Sequence, residues 1–476
     1  MTYGPETLVG RFARLADREP WAPLVVSSWR RATRGEVAAL AQSVVRILDP
    51  HAEGLVGLSA PNGPAFLAGV LALRATAHGV VLLDPLAPAA DRRRACAGLG
   101  AAWMLSSLTG WPADAEAWRF DRVDEAVAAG SAAREAAFVK VTSGSTGAPR
   151  GVAASEAALL ADEAALAASM GLRPDDRIVA AIPMSHSYGF SSVALPALAR
   201  GSMLVTADDD GPLGALFAAA GAGATVFPSA PAYLQALIRL SQPPAWPESV
   251  RLVISASAPL PSDAAIQFRT RFGRSVHVFY GASECGGISY DREGTAGERG
   301  TVGEPVEGVR VRLDPVDGDA AEGLVTVESA AVGLGYLPQA DERLAGGRFV
   351  TSDLGRFEGR ELRLRGRLDA LINVKGRKVN PVEIEAVLQE LPGVEEVVAF
   401  GVASADRATD TVRAVIACPS GRLGYDEVLA WCRARLPEHK VPRSIVLVSA
   451  IPRTSRGKVS RADLLALAGG HRERGA

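Results

Sequence analysis

The chain has 476 residues, with 51 basic and 53 acidic side chains and a formal net charge of -2, which argues against a general binder of nucleic acid or anionic membrane. That length exceeds the usual single-core size, so a large domain accompanied by a smaller one is expected. Cys96, Cys285, Cys418 and Cys432 form no C-x-x-C pair, the first residues lack a signal-peptide core, and no stretch is apolar enough to span a bilayer. A cytoplasmic protein without a zinc site or disulfide scaffold is expected. From about residue 23 to 285, short apolar runs alternate with helix-like segments. "GLVGLSA" reads as a strand, "PAFLAGVLALRATAH" as a helix and "GVVLLDP" as the next strand, and "DRIVAAIPM", "GSMLVTA", "GATVFPS", "RLVISAS" and "SVHVFYGAS" continue the series. This alternation predicts a layered α/β protein. Thr33 with Glu36 reads as a capping box, and Pro231 as a first-turn proline. After residue 300, "VRVRLDP", "GLVTVES", "GRFVTSD" and "RFEGRELRLRGR" predict a strand-rich piece. From Pro381 a new pattern begins, with "PVEIEAVLQEL" and "YDEVLAWCRARL" as helices and "VEEVVAFGVAS" and "TVRAVIACPS" as strands, so a small C-terminal domain starts near residue 370.

Five stretches carry possible chemistry. In "VTSGSTGAPRGV" the hydroxyls of Ser143, Ser145 and Thr146 alternate with Gly144 and Gly147, so side chains and bare backbone N–H groups can surround an anion, with Arg150 as a cation. The spacing is not that of a Walker loop, and a flexible Gly/Ser connector is the alternative. In "VFYGASECGG", Ser283 and Glu284 follow an apolar run, where a carboxylate can hold Mg²⁺ against phosphate or can simply be a surface residue. Tyr280 there can stack on a base or belong to the core. Asp353, with Arg356 nearby, can accept two ribose hydroxyls. Arg367, Asp369, Lys375, Arg377 and Lys378 gather at the proposed boundary, as a functional cluster or as a solvated basic hairpin. Lys458, in "IPRTSRGKVSR", can bring a point charge to a developing anion or can serve only solubility.

Taken in order, "TSGSTGAPRG", "PMSHSYGF", "YGASE", "TSDLGR", "GRLDALINVKGRKVNPVEIE" and "PRTSRGK" resemble the motifs of the adenylate-forming superfamily, which includes acyl- and aryl-CoA ligases, adenylation domains and firefly luciferase. The resemblance implies an α/β fold with a large N-terminal domain of several subdomains, one small and β-rich, over residues 1–368. It also implies a small mobile α+β C-terminal domain over residues 369–476, with the hinge at Asp369. It assigns Thr142, Ser143, Gly144, Ser145, Thr146 and Gly147 to the β- and γ-phosphates of ATP, with Arg150 in place of the usual lysine. Thr146 and Glu284 match the positions associated with Mg²⁺. Tyr280 with Ala258 and Pro259 matches the adenine slot beside Ser283, Asp353 and Arg367 match the ribose contacts, and Lys458 matches the lysine of adenylation. Ala370, Lys378 and Ser352 are further departures from the family pattern, and they bear on the second half-reaction.

The expected reaction joins a carboxylic acid to AMP with release of pyrophosphate and then passes the acyl group to a thiol. CoA leads as the acceptor, and a phosphopantetheinyl carrier protein is the alternative. A non-catalytic nucleotide-binding homologue is the reading from another class. The stretch from Pro183 to Gly201 contains no Asp or Glu, which disfavours a free amino acid because its ammonium would be unpaired. "PMSHSYGFSS" resembles the segment of coumarate-type ligases, with His186 as the gate residue. Tyr188, Phe190, Ser191 and Ser192, with Ser257 and Gly281, then line an acid pocket suited to an aryl or cinnamyl-like acid, unless Tyr188 and Phe190 are core.

Overall fold

The computed structural model describes residues 4, 6–123, 127, 131–143, 149–208, 211, 213–316, 321–374, 377–403, 409–419, 421–453 and 459–469. Gly144, Ser145, Thr146, Gly147, Lys375 and Lys458 lie outside the described residues. The chain divides into two compact units. The first takes Met1–Arg312, Thr326–Thr351 and Phe357–Arg363, and the second takes Leu313–Val325, Ser352–Arg356 and Leu364–Ala476.

The apolar runs of the first unit form two sheets. One has seven strands, in the order Gly335–Leu337, Pro149–Ala154, Phe138–Ser143, Gly79–Leu82, Leu55–Ser59, Trp103–Ser107 and Trp118–Arg122. The other has nine, running from Glu304–Pro305 through Gly286–Tyr290, Val276–Ala282, Leu252–Ser255, Val226–Ser229, Arg177–Val179 and Met203–Val205 to Pro23–Val26 and Arg31–Thr33. Leu55–Ser59 pairs in parallel with Gly79–Leu82, and Val226–Ser229 with Leu252–Ser255, and all four are buried along their whole length. A parallel strand covered on both faces needs an unbroken apolar run, which these sequences supply. The helix Pro64–Ala75 is apolar nearly all round and fully buried over its first ten residues, as expected for a helix packed on several sides.

Aromatic residues from separate elements close the main core, where Phe138 packs on Phe190 at 4.9 Å and Phe66 meets Phe190 edge-on at 6.3 Å. A second cluster surrounds Phe227, Trp246 and Phe268. Thr33 caps the helix Arg34–Val45, accepting from the Glu36 N–H while the Glu36 carboxylate accepts from the Thr33 N–H. Thr33→Ala is therefore expected to cost about 1 kcal/mol of stability, read by chemical denaturation. Pro231 opens the helix Pro231–Arg239, as its fixed φ predicts.

The strand-rich piece forms a five-stranded sheet from Arg310–Pro315, Gly323–Glu328, Leu344–Ala345, Arg348–Glu358 and Glu361–Arg367. Within the second unit, Glu396–Ala403, Asp410–Ala417 and Ser444–Val448 make a three-stranded sheet, with helices Pro381–Gln389 and Tyr425–Arg435 and a core around Ile384, Leu388, Ile416 and Val428. No helix among the described residues is long and apolar enough to cross a membrane.

Candidate active site

The segment resembling a phosphate loop joins two antiparallel strands. Thr142 and Ser143 end Phe138–Ser143, and Arg150 stands opposite Thr142 at the start of Pro149–Ala154. The Thr142 hydroxyl donates to the Arg150 carbonyl at 3.2 Å, which ties the two ends of the loop together. The Arg150 guanidinium lies 3.6 Å from the centre of the Tyr336 ring, and its Nη2 donates to Asp341 at 2.8 Å. Arg343 and Arg150 together hold the Asp341 carboxyl well below the usual carboxylate range.

Ser283 and Glu284 sit in the turn between strands Val276–Ala282 and Gly286–Tyr290, which pair antiparallel with an irregularity at Tyr280 and Gly281. Such irregularities re-aim side chains and recur beside functional sites. The Tyr336 hydroxyl donates to Glu284 Oε1 at 2.7 Å. Among the described residues no group of three or more His, Cys, Asp or Glu could hold a metal ion. A cation here would take Glu284 Oε2 and the nucleotide's own phosphates, with Thr146, outside the described residues, as the other residue that the resemblance implies. That arrangement fits Mg²⁺, which keeps several waters and takes few protein ligands. Burial pushes the neighbouring Cys285 thiol well above its ordinary range.

Ser257, Ala258 and Pro259 are exposed just past the strand Leu252–Ser255. Ser257 adopts φ +75°, a left-handed conformation that L-residues other than glycine seldom hold and that concentrates at functional loops. Gly281 is exposed, and a Cβ there would lie 2.7 Å from the Gly286 carbonyl, so no side chain can intrude at that point.

The predicted acid-pocket residues separate into three environments. Phe190 is fully buried between Phe66 and Phe138, the core environment that the sequence left open for it. Ser191 points its hydroxyl at Asp162, 2.7 Å away, and so carries a structural hydrogen bond. Tyr188 and Ser192 differ, because both hydroxyls are buried and neither has a hydrogen-bond partner. The Tyr188 ring packs on Phe279 at 5.7 Å, and its hydroxyl comes near the Ser229 backbone without a well-formed bond. His186 Nε2 faces Asp84 Oδ2 at 3.6 Å.

In the second unit Arg367 forms a two-pronged pair with Asp369, at 2.9 and 2.8 Å, and also lies 3.8 Å from Asp353. The Arg367 guanidinium draws the Asp369 carboxyl below its ordinary range. Asp353, Arg367 and Asp369 thus form one charged cluster. Asn380 caps the helix that follows, accepting from the Val382 N–H and donating to the Arg365 carbonyl.

The AMP-binding enzyme family matches residues 12–337, and the C-terminal domain of AMP-binding enzymes matches residues 383–458. The chain belongs to the AMP-binding enzymes. A feruloyl-CoA synthase of Amycolatopsis sp is 30% identical over 338 residues, covering 68% of each chain. An anthranilate–CoA ligase of Pseudomonas aeruginosa is 30% identical over 406 residues, 81% of this chain and 76% of that one. ATP-bound MatB from Rhodopseudomonas palustris shares the fold, with a TM-score of 0.81 over 96% of this chain and 98% of its own at 23% identity. The amide bond synthetase McbA from Marinactinospora thermotolerans superposes with a TM-score of 0.78 at 25% identity, covering 96% and 99%. This AMP-binding enzyme is a member of the adenylate-forming superfamily and an AMP-forming acid–thiol ligase that uses ATP and CoA.

Several residues of the AMP-binding enzyme's site escaped the sequence reading. Lys140 is a lone charge in the apolar run "FVKV"; it is buried and donates to the Ser283 carbonyl at 3.3 Å, bracing the turn that carries Glu284. Asp162, buried in the Ala- and Leu-rich helix Glu156–Met170, accepts from Ser191 and from the Gly287 N–H at 2.9 Å. Charges inside apolar runs were the available signal for both. Nothing in "GLGYLPQADER" marks Tyr336 or Asp341 as partners of Glu284 and Arg150.

Proposed function

We propose that this enzyme activates an aromatic carboxylic acid bearing a hydroxyl or similar polar group, with Mg²⁺ and ATP, and transfers the acyl group to CoA. The observation that carries the acid class is the two buried hydroxyls without a hydrogen-bond partner, Tyr188, whose ring packs on Phe279, and Ser192. A buried hydroxyl without a partner costs about 1–3 kcal/mol, which a polar substituent on the acid would recover. Free amino acids remain disfavoured, because the nearby carboxylates already accept hydrogen bonds: Asp84 from the Leu86 N–H, Asp162 from Ser191 and Gly287. The names of the feruloyl and anthranilate relatives support an aromatic acid.

In this reading Thr142 to Gly147 take the β- and γ-phosphates, and Ala258, Pro259 and Tyr280 take the adenine. Asp353 and Arg367 take the ribose, and Asp369 is the hinge between half-reactions. Mg²⁺ would supply charge neutralisation for the departing pyrophosphate, with Glu284 as its protein ligand. Lys458 offsets the approach of two anions, carboxylate and α-phosphate, as the new bond forms. His186 and Tyr188 bound the acid and exclude water from the mixed anhydride.

The test is acid-dependent ATP/pyrophosphate exchange over hydroxylated aryl, plain aryl, fatty and amino acids, followed by CoA, carrier proteins and amines with the best acid. Exchange with fatty or amino acids alone would reject the acid class. Transfer to amines but not to CoA would favour the second reading, suggested by the amide bond synthetase McbA. Tyr188→Phe is expected to leave stability unchanged or raise it by up to about 1 kcal/mol, since it removes an unpaired hydroxyl, while raising KM for the hydroxylated acid. An unchanged KM would remove Tyr188 from the pocket.

A further inference from the structure

Arg150 departs from the lysine expected at its position, and its surroundings give it a different task. The strand Gly335–Leu337 pairs with Pro149–Ala154 in a register that sets Tyr336 opposite Val152 and Leu337 opposite Gly151, so the Tyr336 ring lies beside the strand leaving the phosphate loop. The Arg150 guanidinium covers one face of that ring at 3.6 Å while its Nη2 donates to Asp341 at 2.8 Å. Asp341 is itself fixed by Arg343, whose Nη2 donates at 2.7 Å. At the far end of the ring, the Tyr336 hydroxyl donates to Glu284 Oε1 at 2.7 Å.

A planar guanidinium can stack on a ring and donate to a carboxylate at the same time, whereas a lysine ammonium offers a point charge without a flat face. We infer that Tyr336 and Arg150 are positioning residues: Asp341 fixes Arg150, Arg150 fixes the Tyr336 ring, and the Tyr336 hydroxyl holds Glu284 by Oε1 so that Oε2 is kept for the cation accompanying ATP. Arg150 thus acts on ATP through Glu284 rather than by gripping phosphate. The inference rests on the reading that Glu284 is the cation's ligand.

Tyr336→Phe tests it, because the ring and its stacking on Arg150 survive while the hydrogen bond to Glu284 is lost. The readout is the Kd of the full-length protein for ATP by calorimetry, in excess Mg²⁺ and in EDTA, with thermal unfolding as a check on folding. Loss of a hydrogen bond to a charged group is expected to weaken binding about tenfold in Mg²⁺ and to change it less than about twofold in EDTA. Arg150→Lys is expected to shift binding in the same sense by about threefold. Glu284→Gln provides the control. If Glu284→Gln weakens binding only in Mg²⁺ while Tyr336→Phe binds as the wild type does, or more tightly, the positioning inference is overturned alone. Equal weakening of Tyr336→Phe in Mg²⁺ and in EDTA overturns it as well. Should Glu284→Gln bind normally in Mg²⁺, the assignment of Glu284 to the cation fails and the inference falls with it.

Discussion

Replacing Lys458 by alanine is expected to lower acid-dependent ATP/pyrophosphate exchange by about 10²–10³-fold, the usual effect of deleting one group that stabilises developing charge. The reason is electrostatic. A carboxylate and a triphosphate repel each other as they approach, and the lysine is the cation the sequence offers for bridging carboxylate oxygen and α-phosphate. The loss should be confined to the first half-reaction. Supplied with a synthetic acyl adenylate, Lys458→Ala should transfer the acyl group to CoA at close to the wild-type rate. Exchange at the wild-type level would reject the assignment of Lys458, and an equal loss in both half-reactions would show a general defect.

The second large effect is expected at Asp162. Its carboxylate joins two parts of the proposed site that are distant in sequence, accepting from Ser191 beside Ser192, proposed to line the acid pocket, and from the Gly287 N–H just past Glu284. The packing is tight: a Cβ on Gly286, whose φ is +69°, would lie 2.2 Å from Asp162 Oδ1. Asp162→Ala leaves a hydroxyl and a backbone N–H unsatisfied in the interior, and each such orphan costs about 1–3 kcal/mol, so a loss of about 2–6 kcal/mol is expected. Asp162→Asn keeps one accepting oxygen and should lose about half of that. Denaturant titration measures both. A loss below about 1 kcal/mol for the alanine variant would mean that the two donors find other partners and that Asp162 does not brace the site.

Much of the local structure was legible. Apolar runs bounded by Gly, Pro and Asp became strands because a fully covered strand must be apolar on both faces, and the Thr33 capping box and the first-turn Pro231 follow from residues adjacent in the chain. The ordered motifs identified the family, and the matched residues 12–337 and 383–458 bear that out. Illegible were the division of the runs between a seven-stranded and a nine-stranded sheet and the consequences of that division for individual side chains. Phe190 carried the same apolar signal whether it faced an acid or the core, and only the arrival of Phe66 and Phe138 decided the matter.

By itself the sequence determined what depends on neighbours along the chain: helix caps, strand periodicity, the glycine- and hydroxyl-rich loop, and the presence of Glu284 and Lys458 in the order that marks an adenylate-forming enzyme. Tertiary structure alone decided which polar groups are already engaged. Asp162 finds Gly287 across 125 residues, Tyr336 finds Glu284 across 52, and Arg150 finds Asp341 across 191. Such pairings depend on strand register and on side chains meeting within about 3 Å, and no local preference encodes a distance between residues so far apart.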